Sequence, residues 1–86
     1  MTHRIKIRES FAEAIYDGRK TFEVRKNDRG YQAGDRIQFV VLHDSDGLEM
    51  LTHPLMEQEY EITYVLSGWG IKDGFVVLGI KPIEET

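Results

Sequence analysis

A hydroxyl, a carboxylate and a guanidinium alternate with apolar side chains in the segment 18–25, Gly-Arg-Lys-Thr-Phe-Glu-Val-Arg. Successive strand residues face opposite sides, so the alternation predicts one polar and one apolar face. The polar face comprises Thr21, Glu23 and Arg25, and the apolar face Phe22 and Val24. A buried face needs only the apolar half of such a pattern. The polar half, with Arg19 and Lys20 at its start, has donors and acceptors that suit a nucleobase edge or a phosphate.

Each charged residue of this row also has a purely structural interpretation. Glu23 and Arg25 are two apart on one strand face, where they either form an ion pair that holds the sheet or present an acceptor and a forked donor to a ligand. Lys20 is either a solvated lysine or, beside Arg19 and Arg25, a lysine driven towards its neutral form, which could act as a general base.

Size and composition restrict the remaining possibilities. The 86 residues form one small domain, with an ordered core expected at about residues 3–82. The chain has no cysteine, which excludes disulfides and thiolate metal sites and fits a cytoplasmic location. It has no apolar run of membrane-spanning length and no signal-peptide pattern. Because His3, His43 and His53 lack metal-ligand spacing and no phosphate-binding glycine loop occurs, we expect no metal and no cofactor.

Charge is unevenly distributed along the chain. The formal net charge is −4, yet residues 1–36 hold nine of the eleven lysines and arginines and have a net charge of +3. Residues 37–86 have a net charge of −7. This asymmetry indicates either an anionic partner for the first part or a solvated surface with chance segregation.

Hydrophobic periodicity predicts five strands and one early helix. His3–Arg8 alternates with His3, Ile5 and Ile7 on one face. Ser10–Glu13 fits a capping box that starts a two-turn helix with Phe11, Ala14 and Ile15 on its apolar face, and Gly18 ends it. The remaining strands are predicted at 20–25, 36–43, 57–66 and 75–80, with an ambiguous segment at 48–56 and a polar tail at 84–86. The fold class is therefore mainly β with one or two short helices (α+β), forming a small barrel.

Several motifs in order resemble the activating signal cointegrator homology (ASCH) domain of the PUA-like superfamily, in its short bacterial and phage branch. The similarity covers residues 3–81. The matching motifs are His3-x-Ile5-Lys6-Ile7, Gly18-x-Lys20-Thr21-x-Glu23-x-Arg25-Lys26-Asn27-Asp28-Arg29, Gly34-Asp35, Ile62-Thr63-Tyr64-Val65-Leu66 and Gly74-Phe75-Val76-Val77-Leu78.

The resemblance implies a PUA-like β-barrel with a cleft that binds RNA or a modified nucleoside. Some bacterial relatives hydrolyse the amide of N4-acetylcytidine with a lysine at the position of Lys20, a threonine at the position of Glu23 and a later glutamate. Here the lysine is retained, the threonine is replaced by Glu23, and the later glutamate has no counterpart. Thr21 is the nearest hydroxyl on the same face.

Three hypotheses follow. The first is RNA or modified-nucleoside binding, the second an amidohydrolase acting on N4-acylated cytidine with Lys20, Glu23 and Thr21 as catalytic residues, and the third a protein-interaction module that uses the acidic second part. Trp69 either caps one end of the barrel or offers a stacking surface to a base, with Tyr31 as a second candidate. We expect a monomer or a weak dimer formed through an edge such as 48–56. The predicted ligand-binding residues are Lys6, Arg8, Arg19, Lys20, Thr21, Glu23, Arg25, Lys26, Asn27, Arg29 and Trp69.

Overall fold

The structure, a computed structural model, describes residues 1–84. In chain order the elements are β1 (Thr2–Arg8), α1 (Glu9–Tyr16), β2 (Phe22–Lys26), β3 (Arg36–Leu42), a 3₁₀ helix (Pro54–Glu57), β4 (Glu59–Leu66) and β5 (Phe75–Pro82). The predicted fold class, mainly β with a short helix, is confirmed. Of the expected polar tail at 84–86, only Glu84 lies within the described residues.

The five strands form one mixed sheet in the order β1-β3-β4-β5-β2. β1 and β3 are parallel, with Thr2 opposite Arg36 and Arg8 opposite Leu42, and the other pairs are antiparallel. The sheet curls into a half-barrel, so that β1 and β2 are its two end strands. Because no ladder joins these two strands, the barrel stays open between them.

The core lies on the concave side of the half-barrel and beneath α1. β1 alternates as predicted, with His3, Ile5 and Ile7 buried and the basic residues Arg4, Lys6 and Arg8 exposed. Ala12 and Ile15 of α1 join the same apolar cluster, which also includes Ile37, Phe39, Val41, Leu55, Tyr60, Ile62, Val76, Leu78 and Ile80. Burial of this cluster holds the short helix, since two turns are not stable alone in water.

The predicted capping box is wrong. α1 begins at Glu9, and its N-cap, Arg8, makes no side-chain capping bond. Ser10 is therefore the second helical residue, and its amide and hydroxyl lie 3.4 and 3.5 Å from Asp44 Oδ1. A carboxylate from a loop 34 positions away thus takes the role expected of Glu13. Phe11, expected on the apolar face, is half-exposed instead.

The expected orientation of the strand at 20–25 is also wrong. Alternation holds in β2, but Glu23 faces the interior at 5% exposure, whereas Phe22 and Val24 are 44% and 50% exposed. The polar residue can be buried because cationic side chains reach its carboxylate there. A buried charge is tolerated when it is paired and hydrogen-bonded in this way.

The ambiguous segment 48–56 is mostly irregular. Glu49 forms one isolated bridge with Leu42, and Pro54 opens the 3₁₀ helix, in agreement with the argument that Pro54 excludes a central strand. His53 Nδ1 accepts a hydrogen bond from the Leu55 amide and caps this helix. As a result β4 begins at Glu59, two residues after the predicted start at residue 57.

Candidate ligand-binding site

Three charged side chains meet where the α1–β2 loop enters β2. Lys20 Nζ donates to Glu23 Oε1 at 2.6 Å and to the Phe22 carbonyl at 2.9 Å. Arg25 Nη1 donates to the other carboxylate oxygen, Glu23 Oε2, at 3.3 Å. Of the two alternatives for Glu23 and Arg25, the structure shows the ion pair, and each oxygen of the buried carboxylate has its own cation. Such charge-assisted contacts fix the position of all three groups.

The local chain path places Lys20 at this point. Gly18 adopts φ +86°, a left-handed conformation that ends α1 and favours glycine. The Lys20 amide then donates to the Ala14 carbonyl at 2.9 Å, which turns the chain back along the helix. The Lys20 ammonium lies 5.2 Å from the centre of the Phe11 ring and 5.0 Å from that of Phe22. Neither phenylalanine was predicted to belong to the site, because the sequence indicated buried positions for both.

Arg19 and Thr21 do not join this cluster. Arg19 Nε donates to Asp17 Oδ2 at 2.7 Å, and the Arg19 amide donates to Asp17 Oδ1. The Arg19 side chain is the largest cause of a lowered pKa at Asp17, followed by the Arg19 amide. Arg19 is thus paired away from Lys20. Thr21 is exposed and precedes β2, with its carbonyl accepting from the Ile80 amide.

Two arginines span the opening between the end strands. Arg25 Nη1 donates to the Lys6 carbonyl, and Arg29 Nη1 donates to the Arg4 carbonyl, both at 2.7 Å. These carbonyls belong to the edge of β1 that has no partner strand. We call this feature the basic seam, defined by Arg4, Lys6, Arg25 and Arg29, which together with Val40 and Glu49 line a cavity of about 220 Å³.

The charge of the seam is predominantly positive. Glu23 is already paired with Arg25 at 3.3 Å. The other neighbouring acid is Glu49, 3.9 Å from Lys6 Nζ, and the side chains of Glu49 and Lys6 are both more than half exposed. Water therefore screens this pair. Arg4 and Lys6 contribute only their carbonyls to the two arginine bonds, so both cationic ends can contact an anion, Lys6 in competition with Glu49. Arg4 was not among the predicted ligand-binding residues.

The other predicted binding residues lie around or beyond the seam. Lys26 borders an adjoining depression of about 190 Å³, lined by Val24, Arg25, Lys26, Asp28 and Arg29. The Asn27 amide donates to the Gly74 carbonyl at 2.8 Å and anchors this loop. Arg8 lies instead beside the 43–47 turn, in a different depression.

The two predicted stacking residues have opposite placements. Trp69 is 93% exposed, so the interpretation that it caps the barrel is wrong. Tyr31 is buried, with its ring 4.7 Å from that of His3 in an edge-to-face arrangement, so it is not available for stacking. Tyr31 lies in a loop, where hydrophobic periodicity does not indicate which residues are buried.

A larger, acidic cavity lies elsewhere. It has a volume of about 680 Å³ and is lined by residues of α1 and of the segment that contains the 3₁₀ helix: Glu9, Glu13, Tyr16, Asp17, Met50, Thr52, His53, Pro54 and Glu57. Its four carboxylates repel phosphate, and it shares no residue with the seam. Within residues 1–84, no group of three potential metal ligands occurs, and no helix is long and apolar enough to cross a membrane.

The fold and the site define a small α+β domain whose five-stranded half-barrel carries a basic opening between its end strands. Residues 2–80 match the family described as Domain of unknown function (DUF3850), and the chain belongs to that family. Its fold is similar to the crystal structure of hypothetical protein PH0355, with a TM-score of 0.61 and 20% identity over 96% of this chain and 100% of that chain. Comparison with curated proteins gives no match.

Proposed function

We propose that this protein binds RNA or a modified nucleoside through the basic seam. The observation that carries the proposal is the convergence of four cationic side chains on one opening of the half-barrel. Arginine forks and lysine ammonium groups bind phosphate oxygens, which fixes the position of a nucleic acid without reading its sequence. The resemblance of the chain to the ASCH domain supports the same class of ligand, and the lack of cysteine supports a cytoplasmic location.

The matched test uses substitutions that spare the contacts between the end strands. Arg4 and Lys6 accept through their carbonyls, so Arg4→Gln combined with Lys6→Gln leaves both arginine bonds in place. We expect the affinity for a fluorescent single-stranded RNA at low salt, measured by anisotropy, to fall by about tenfold or more.

The control is Arg19→Gln combined with Arg36→Gln, which removes the same charge from arginines already paired with Asp17 and Glu59. We expect this variant to bind like the wild type. Equal affinities for all three proteins would reject the seam as the site, and no binding by the wild type at low salt would favour a protein-interaction module.

The Lys20–Glu23 contact favours a second candidate, an amidohydrolase acting on N4-acylated cytidine. The partly buried Lys20 ammonium and the buried Glu23 carboxylate lie 2.6 Å apart beside two aromatic rings, an arrangement that can hold a planar base and activate water. The water oxygen would bond to the acyl carbon while the carbon–nitrogen bond breaks, releasing cytidine and a carboxylic acid. Incubation with N4-acetylcytidine, followed by absorbance, tests this activity. Turnover no faster than that of Lys20→Ala would exclude it.

A further inference from the structure

The convex face of the sheet carries exposed aromatic residues that neither the seam nor the core uses. In β5, Val76, Leu78 and Ile80 are buried, so Val77 and Gly79 point outward. Strand pairing places Phe22 of β2 and Tyr64 of β4 on either side of Gly79. The next row consists of Val24, Val77 and Leu66. We call this surface the aromatic face, defined by Phe22, Val24, Tyr64, Leu66, Val77 and Gly79.

Glycine and a bulge shape the centre of this face. The β4–β5 register shifts between Ile62 and Tyr64, so Thr63 and Tyr64 both approach Gly79. A Cβ at Gly79 would lie 2.8 Å from Thr63 Oγ1. The Thr63 side chain occupies the space of the missing side chain, and the rings of Phe22 and Tyr64, at 44% and 65% exposure, stand on the two strands that flank Gly79. Their strands are separated by β5, so the two backbones are about 10 Å apart.

The helices leave the aromatic face uncovered. α1 packs against β1 and β3, and the 3₁₀ helix packs against β3 and α1. A contiguous exposed apolar surface of this kind marks a binding site more often than single scattered residues do.

Charge and continuity identify the occupant. Lys26 pairs with Phe75 at one end of the face, and Lys72 Nζ lies 5.5 Å from the centre of the Phe75 ring. The depression of about 190 Å³ runs from Val24 on the aromatic face to Arg25 and Arg29 of the seam. A ligand that extends from one surface to the other needs flat apolar groups for the first and anionic groups for the second.

We infer that the aromatic face is a stacking platform for the bases of single-stranded RNA whose phosphates are held in the basic seam. Exposed aromatic side chains on a sheet surface stack about two or three bases in sheet-based RNA-binding modules, and the stacking tolerates any base. This inference rests on the proposed RNA-binding function and adds the single-stranded character of the ligand and its path across the sheet.

The test compares two tyrosines that differ only in location. Tyr64→Ala removes a ring from the aromatic face, Tyr64→Phe retains it, and Tyr16→Ala removes an exposed ring from the acidic cavity. The probe is fluorescein-labelled oligouridine, titrated by anisotropy at low salt. We expect Tyr64→Ala to weaken binding about tenfold, and Tyr64→Phe and Tyr16→Ala to bind like the wild type.

The alternative results separate this inference from the proposed function. If Arg4→Gln with Lys6→Gln weakens binding but Tyr64→Ala does not, the platform is rejected and the seam stands. If the wild type does not bind oligouridine, both are rejected. If Tyr64→Ala leaves RNA affinity unchanged but lowers the sedimentation-derived mass of the protein, the face joins two copies of the chain and the stacking assignment is overturned.

Discussion

Glu23 combines a structural and a functional constraint in one side chain. Its carboxylate is buried and has Lys20 on one oxygen and Arg25 on the other. The same Arg25 guanidinium also donates to the Lys6 carbonyl across the open edge of the sheet. Removal of the carboxylate would therefore affect the cluster and the position of a seam arginine together.

We predict that Glu23→Gln lowers the free energy of unfolding by about 3 kcal/mol, because it leaves two partly buried cations adjacent without their shared anion. Urea denaturation should show the loss as a lower midpoint. Glu13→Gln is the control, since Glu13 lies exposed on α1 and the same chemical change there should shift the midpoint little. Equal midpoints for the two variants would contradict the structural role of Glu23.

Asp35 makes a pH-dependent contribution to stability near the start of β1, where it contacts His3. His3 Nε2 lies 2.8 Å from Asp35 Oδ2. The pKa of Asp35 is lowered from its usual 3.8, mainly by the hydrogen bond with His3. Burial opposes this shift, and the hydrogen bond from the Gln32 amide adds to it. Because the pKa is lower in the folded state, the unfolded chain takes up the proton at a higher pH than the folded chain does as the pH falls. The stabilisation is therefore complete above pH 3.8 and is lost as the pH falls through the folded-state pKa.

We accordingly expect Asp35→Asn to be less stable than the wild type at neutral pH, with the difference shrinking below pH 3.8. Urea denaturation of both proteins across this range measures that difference directly. A gap that stays constant with pH would show that Asp35 acts without its charge.

At the scale of the elements, the register between β4 and β5 depends on Gly79, whose φ does not lie in the left-handed region. Gly79 is required by space, because Thr63 projects over it at the bulge. We predict that Gly79→Ala destabilises the domain by about 1 kcal/mol, since Thr63 must rotate or the bulge must shift. Combining it with Thr63→Ala should restore most of the stability, as measured by thermal unfolding. No recovery in the double variant would mean that the cost arises in the backbone.

The same elements show which features local patterns can predict. β1, β3 and β5 were predicted well because each alternates or is continuously apolar against the core. β2 alternates equally well, but Glu23 is buried only because Lys20 and Arg25 pair with it. An alternation of apolar and polar residues does not reveal such pairing. The start of α1 was misplaced for a similar reason, since the group that contacts Ser10 is Asp44 from a distant loop.

The candidate site was predicted in part. The cluster of Lys20, Glu23 and Arg25 follows from close sequence spacing, and the structure brings the three together. The seam depends on curvature, which brings the first and last strands of the sheet near each other although they are not hydrogen-bonded in a ladder. Burial of Tyr31 against His3 likewise depends on tertiary contacts. Sheet curvature and loop docking are non-local, so periodicity does not reveal them.

In the whole molecule, charge is segregated by surface and not by sequence half. Residues 1–36 supply the cations of the seam, but they also supply Glu9, Glu13 and Asp17 of the acidic cavity. A ligand at the seam therefore meets a local positive field on a protein whose formal net charge is −4. Counterions are released from the phosphates that the protein contacts, so the local cations determine the salt dependence of binding.

We predict that the logarithm of the RNA association constant falls linearly with the logarithm of salt concentration, with a slope of about −0.7 for each phosphate neutralised. Arg4→Gln with Lys6→Gln should make the slope shallower by about 1.4, because two phosphate contacts are lost. Glu13→Gln with Glu57→Gln changes the net charge by the same amount in the opposite direction, at residues of the acidic cavity. This variant should leave the slope unchanged. Anisotropy titrations across a salt series measure all three slopes. If the glutamate variants shifted the slope as much as the seam variants, overall charge and not the seam would control binding.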